Sequence, residues 1–412
     1  MTLEEFLNSS WSIRDLRAGP FRDCIDLYTD RLRKDGYSKH SAASNLKIVI
    51  DFTAWLTKGK LGCADIDEQL AARFLEDRAR WHALRGGDPA AIRRFISALR
   101  EAKVIALASP RVLGPTDQML EDFRTYLTRR HGLGPRSCEA YVKFTRPFLR
   151  DMVITRPDHF ARLTQADILG YVERHARDAS AATAVAMCSR LRSYLRYLLV
   201  EGLIENDLAA CVPSIRKWRF TGLPTYLSAA QLQQVLQSCD LSTGTGRRDH
   251  AVLLLLARLG LRAQEVATLT LDAIDWHSGQ LSIQGKGRQH ATMPLPSDVG
   301  AAIAAYLREG RPSSDGRAVF LHAYAAHSAI ASHGIQDIAR RALKRAGVDG
   351  LAHHGSHVLR HTLATELLRS GATLTQIGQV LRHKDQDTTR IYAKVDLASL
   401  RTLCLPWPGV VQ

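Results

Sequence analysis

Apolar residues along this chain recur mostly at three- and four-residue intervals, the spacing that lays one stripe along a helix and predicts a largely helical protein. The pattern is itself repeated. Leu27-Tyr28 leads through Gly36 to Ser41 and Phe52-Thr-Ala-Trp55-Leu56, and Phe123, Tyr126 and Leu127 lead through Gly132 to Ser137 and Phe148-Leu149. Ser41 aligns with Ser137 and Phe52 with Phe148, while Phe74-Leu-Glu76 echoes Tyr171-Val-Glu173 and Arg94–Ile105 echoes Arg192–Ile204. This self-similarity predicts two related modules in tandem, each of a few short helices.

The period breaks at Pro213, Gly222 and Pro224, around the basic run Ile215-Arg216-Lys217-Trp-Arg219, and a linker is expected there. Beyond it, helices are predicted over 228–236, with Ser228 as cap, and over 248–259, 298–308 and 335–346. Between 269 and 296 the pattern becomes β-like. Ile274-Asp275 leads to a turn at His277-Ser-Gly279, a strand at 281–283, a turn at Gly285-Lys286-Gly287 and a returning strand at 290–295. The expected organisation is an additional helical module over 1–112, a second module over 113–214, a linker over 215–227 and a final domain with a tail over 228–412.

The final stretch carries the candidate chemistry. Ser356 is the start signal of a helix with apolar Leu359, Leu363, Leu367 and Leu368, and Gly371 ends it. Thr373 and Gln376 form a capping-box pattern for a second helix. Asp385-Gln-Asp387 is a turn, with Asp387 placed to cap a short third helix bearing Tyr392. His357 and Arg360, three apart, leave one helix face. His383 and Tyr392, nine apart, would oppose each other on one unbroken helix, so the turn between them is what lets them share a pocket. Imidazoles, a guanidinium and a phenol gathered in this way suit chemistry on a phosphate ester.

Composition narrows the setting. At 412 residues, two or three domains are expected, and a net charge of +15 with pI near 9.7 points to an acidic partner, nucleic acid before a membrane surface. No apolar run is long enough to cross a bilayer, and Met-Thr-Leu-Glu-Glu-Phe lacks the character of a signal peptide. Seven dispersed cysteines without Cys-x-x-Cys spacing read as reduced cytosolic thiols, not disulfides or a zinc site. Basic residues interleave with aromatic ones at Lys143, Arg146 and Arg190. These, with Arg216, Lys217, Arg219 and Arg288, are the candidate phosphate contacts.

Arg258-Leu-Gly260-Leu-Arg262-Ala-Gln-Glu265, the Lys286 turn, His357-x-x-Arg360-His361, His383 and Tyr392 together resemble the tyrosine recombinase (phage integrase) family. The resemblance covers roughly 225–396, and more weakly 115–212 as the core-binding, SAM-like domain of that family. It implies a mainly α protein with a small antiparallel β-sheet in the catalytic domain (α+β), behind tandem helical DNA-binding modules. It implies that Arg262 and Arg360 clamp the phosphate, that Tyr392 is the nucleophile, and that His357 accepts its proton or binds the phosphate. His383 would help bind the phosphate, Lys286 would protonate the leaving 5′-oxygen, and His361 and Glu265 would support the site. Neither metal nor ATP is implied as cofactor, since the arginines supply positive charge and a 3′-phosphotyrosyl bond conserves the energy of the broken one.

Further implied are double-stranded DNA as partner, a homotetramer on two DNA sites, companion recombinases, and action on DNA in a bacterial cytoplasm. The expected function is integration or transposition of a mobile element. A type IB topoisomerase and a non-cleaving accessory protein are the alternatives. One departure stands out: the family usually has Leu-Gly-His where this chain has Leu381-Arg382-His383, and Arg382 is expected to contact DNA or to turn to solvent.

Overall fold

The computed structural model of the protein describes residues 21–106, 113–215, 225–285, 290–351, 355–383 and 385–395. Cα packing divides it into two compact units, Met1–Leu107 with Gly222–Gln412, and Ala108–Thr221. Lys286, Arg288, Arg216, Lys217, Arg219 and the C-terminal tail lie outside the described residues.

Residues 21–105 build their own core in the first unit. It is made by α1 (Arg22–Lys34), α2 (Lys39–Lys58), α3 (Glu68–Ala79) and α4 (Asp88–Glu101). Phe52 lies at its centre, 5.0 Å from Phe74 and 6.4 Å from Phe95, with Tyr28 set edge-on to Phe95. The second unit is built from α5 (Pro115–His131), α6 (Pro135–Asp151), α7 (Gln165–Ala176) and α8 (Ala181–Val200). Its core repeats the arrangement: Phe148 lies 5.1 Å from Tyr171 and 6.2 Å from Tyr194, with Phe123 edge-on to Tyr194.

Equivalent helices also stop in the same way. α2 ends with Lys60 and α6 with Val153 in the left-handed region, and α4 and α8 end likewise at Lys103 and Gly202. In each case the N–H groups of that residue and of the one after it turn back onto last-turn carbonyls, as Lys60 and Leu61 do onto Thr57 and Leu56, and Val153 and Ile154 onto Arg150 and Leu149. The repeat seen in the sequence is thus a repeat of core aromatics and of helix stops.

The rest of the first unit is organised around α10 (Gly244–Arg258), in which every residue from Ala251 to Ala257 is buried. A helix apolar on all sides must be covered on all sides. Around it lie α9 (Ala229–Gln237), α12 (Ser297–Glu309), α13 (Ser332–Arg345) and α14 (Ser356–Arg369). Ser228 caps α9 through a reciprocal box with Gln231, as the sequence predicts. The short α11 (Ala263–Ala267) precedes an antiparallel sheet of β1 (Ile274–Asp275), β2 (Gln280–Gln284) and β3 (His290–Pro294) in the order β1-β2-β3. Register is set by Ile274 opposite Leu281 and Ile283 opposite Ala291, and Leu281 and Ile283 supply the inward face of β2.

The expected α+β class is the class observed. A satellite core of Ala364, Ile377, Leu381 and Tyr392 joins α14 to α15 (Leu374–Val380) and to a 3-10 helix, Gln386–Val395. Two local expectations shift here. Ser356 is the first residue of α14, and the preceding Gly355 makes no side-chain cap. In the turn after His383, Asp385 rather than Asp387 supplies the capping carboxylate, accepting from the Asp387 N–H at 3.0 Å.

Candidate active site

Backbone turns at the ends of two helices bring the site together. α10 runs out at Gly260, whose φ of +56° reverses the chain, and Arg262 then caps α11. A Cβ at Gly260 would lie 2.8 Å from Leu381 Cδ2 and 3.0 Å from Leu363 Cδ2, so both the conformation and the close approach demand glycine. Arg360, on α14, is 4% exposed and donates to the carbonyls of Gly260 and Leu381, which ties the α10 turn to the end of α15. Burial first, and then the charges of Arg262 and Arg382, lower its pKa to about 10, still well on the charged side of neutrality.

Arg262 is the more open guanidinium, with a third of its side chain exposed. Its Nη1 donates to Glu265 Oε1 at 2.8 Å, its backbone N–H to Glu265 Oε2 at 2.9 Å, and its Nη2 to the carbonyl of Arg382 at 3.3 Å. Glu265 is 3% exposed. Burial works to raise its pKa, but the Arg262 N–H and the charges of Arg382 and Arg262 outweigh burial and hold it below the usual carboxylate range.

Arg382 departs from expectation. It does not turn to solvent: its side chain is 15% exposed and its Nη2 donates to Glu265 Oε2 at 2.9 Å. Its backbone sits at φ +54° as the residue just past the α15 cap. The Arg382 and His383 N–H groups return to the carbonyls of Gln379 and Gly378, the paired bonds of a Schellman stop. Glycine is the usual residue at that left-handed position, which costs another residue about 1–2 kcal/mol.

Tyr392 is 1% exposed, and its hydroxyl lies 2.9 Å from His361 Nδ1. The imidazole in hydrogen-bond contact with the phenol is thus His361 and not His357. Burial pushes the Tyr392 hydroxyl up to about 12, with Arg360 and Arg262 pulling the other way. His357, one turn before His361, is exposed, and both line a cavity of about 390 Å³ with Thr225, Gln336 and Ser356.

His383 lies parallel to the Tyr392 ring at 6.5 Å between centroids, and its Nδ1 is 2.7 Å from Thr389 Oγ1. Burial, followed by the charges of Arg360 and Arg262, pushes its pKa down to about 4. Thr389, six residues from His383 across a turn, carries no periodic signal in the sequence. On the far side of His383 a second cavity, about 530 Å³, is lined by Arg382, His383, Asp387 and Arg390.

Of the proposed phosphate contacts among the described residues, Lys143 is exposed, Arg146 pairs with Asp117 at 2.8 Å, and Arg190 lies 4.1 Å over the Phe144 ring. None of these contacts excludes a later one to DNA.

Known proteins resemble this chain in sequence and in fold. The Phage integrase family matches residues 225–398, and its N-terminal SAM-like domain matches 120–202. The chain is 37% identical over 414 residues, covering all of both chains, to "Putative integrase/recombinase y4rA" of Sinorhizobium fredii. It is 29% identical over 295 residues to the tyrosine recombinase XerD of Listeria monocytogenes, covering 69% of this chain and 96% of that one. In fold it is similar to the XerH site-specific recombinase bound to palindromic difH substrate, with a TM-score of 0.56 at 16% identity over 93% of this chain and 96% of that one. The Tn1549 transposon integrase in complex with circular intermediate DNA matches with a TM-score of 0.50 at 16% identity, over 69% of this chain and 98% of that one. The chain therefore belongs to the phage integrase family and is a tyrosine recombinase, a site-specific enzyme that breaks and rejoins DNA.

Proposed function

We propose that this recombinase works through a 3′-phosphotyrosyl intermediate formed on Tyr392 and serves the integration or transposition of a mobile element. The observation that carries the mechanism is the Tyr392 hydroxyl hydrogen-bonded to an imidazole at 2.9 Å, where the charges of Arg360 and Arg262 act on it. Tyr392 Oη attacks the scissile phosphorus as its proton leaves, and the bond from phosphorus to the 5′-oxygen breaks. In this arrangement His361 Nδ1 is the first acceptor for the proton, and His357, in the same cavity, is the next imidazole outward.

Arg262 and Arg360 clamp the non-bridging oxygens, whose negative charge grows in the transition state. A neutral His383 that accepts the Thr389 hydroxyl on Nδ1 carries its proton on Nε2, leaving that nitrogen to donate to the phosphate. Lys286 delivers a proton to the departing 5′-oxygen. Attack by a 5′-hydroxyl of the partner duplex reverses the step and restores Tyr392.

Double-stranded DNA is the substrate, gripped by the modules over 1–112 and 113–214 and by the domain over 228–412 across the linker 215–227. Lys143, Arg146, Arg190, Arg216, Lys217, Arg219 and Arg288 are the basic contacts of this proposal. Four protomers on two sites, with or without companion recombinases, exchange strands in a bacterial cytoplasm. Solved structures of similar fold hold a difH substrate and a transposon's circular intermediate DNA, which supports this reading.

A nicked suicide duplex taken from DNA flanking the gene tests the mechanism. Wild type should form a covalent adduct on a denaturing gel and Tyr392→Phe none, with duplex binding intact in both. An adduct that persists in Tyr392→Phe would place the nucleophile elsewhere. Relaxation of any supercoiled plasmid, without transfer between two sites, would make the protein topoisomerase-like.

A further inference from the structure

The family glycine before His383 is replaced here by an arginine that holds a strained backbone and yet keeps most of its side chain from solvent. Glu265 is the reason it can be buried. That carboxylate, itself almost inaccessible, meets Arg262 through Oε1 and both the Arg262 N–H and Arg382 Nη2 through Oε2. The Arg382 carbonyl in turn accepts from Arg262 Nη2. Arg382 thus touches Arg262 twice: directly through its backbone, and through the carboxylate they share.

Charge decides what this contact does. Without Arg382, Glu265 and Arg262 would form a one-to-one pair, and the charge of Arg262 would be largely spent inside the protein. With Arg382 present, two guanidiniums, Arg262 and Arg382, share the one Glu265 carboxylate, so this trio keeps a net positive charge beside Arg360. A phosphodiester gains negative charge on reaching its pentacovalent state, so the surplus acts where the reaction needs it. Arg382 Nε is also buried with no partner among the described residues, which leaves a donor unsatisfied in a side chain that lines the cavity beside His383.

We propose that Arg382 is a positioning residue for the reaction: it shares the Glu265 carboxylate with Arg262, so that Arg262 is fixed in place and keeps its positive charge for the scissile phosphate. The inference rests on the reading of Arg262 as a phosphate clamp.

Arg382→Gly tests it, because glycine relieves the left-handed backbone and should leave the thermal midpoint unchanged or higher. The single-turnover rate of adduct formation on the suicide duplex should fall about ten- to a hundredfold, with duplex affinity within about threefold of wild type. Arg382→Lys, which restores the charge, should recover part of the loss. Arg382→Gln, which keeps a long side chain without the charge, should stay as slow as Arg382→Gly, a dependence on charge that a merely structural role would not give. Undiminished cleavage by Arg382→Gly, or cleavage by Arg382→Gln as fast as by Arg382→Lys, would overturn the inference.

Inorganic sulfate, titrated by its thermal stabilisation of the full chain, gives a readout that needs no cleavage. Wild type should bind it more tightly than Arg382→Gly, with Arg262→Ala as the blank. Weakening in Arg262→Ala but not in Arg382→Gly would remove the inference alone. Equal binding by wild type and Arg262→Ala would remove the clamp reading, and the inference with it.

Discussion

Tyr392 and His383 share one environment and are shifted in opposite directions by it. Burial raises the phenol to about 12 and lowers the imidazole to about 4, because each is disfavoured in its charged form. For His383 this links pH to stability. Between its ordinary value of 6.5 and about 4, the unfolded chain holds a proton that the folded protein does not, so this residue's contribution is complete above 6.5 and is lost as pH falls toward 4. The loss is at most about 1.4 kcal/mol per pH unit. His383→Gln lacks it, so the drop in urea midpoint between pH 7.5 and pH 5 should be smaller in the variant. An equal drop in both proteins would show that His383 titrates normally. Residue identities at the site were legible because the family motif spells them, but their pairings were not. His361 bonds Tyr392 across 31 positions and Arg382 meets Glu265 across 117, and such contacts are set by how elements pack, not by spacing within one.

At the scale of elements, what the sequence announced best was local. The Ser228 cap and the capping box of Thr373 with Gln376 both form as predicted, and Ser228 adds a reciprocal bond with Gln231 three residues on. The β-meander also follows its turn signals: Asp275 Oδ1 accepts from the N–H groups of His277 and Ser278, and Gly279 takes the left-handed position. Less visible was that two helix ends would become the frame of the active site. The Gly260 and Leu381 carbonyls both receive Arg360, and only tertiary packing puts them together. Gly260→Ala should therefore damage stability and chemistry at once. A left-handed alanine and the crowding of Leu381 and Leu363 together cost about 2–4 kcal/mol. Arg360 should also lose its register and adduct formation should fall, even at temperatures where the variant remains folded. A variant of unchanged denaturation midpoint would mean that the α10 turn can shift without cost.

For the whole molecule the question is why one catalytic domain follows two related helical modules. Their matching cores, Phe52 with Phe74 and Phe95 in one and Phe148 with Tyr171 and Tyr194 in the other, show that the first module is as fully packed as the second. A net charge of +15 on 412 residues favours a polyanion over most partners, and phosphate contacts add affinity in proportion to the counterions they release. The first module has its own closed core from Phe21 to Ile105, so its removal need not expose the core of the catalytic domain. If both modules grip DNA, the full chain covers more duplex and its affinity falls more steeply with salt than a chain lacking 1–112. Deletion of 1–112 should then shorten the nuclease footprint at the outer edge of each site and flatten the slope of log affinity against log salt. Cleavage of a duplex carrying the inner site alone should survive. An unchanged footprint and salt slope would assign the first module to contacts between proteins. A chain that no longer folds, seen as a lost thermal transition, would assign it to the stability of the unit it shares with residues 222–412.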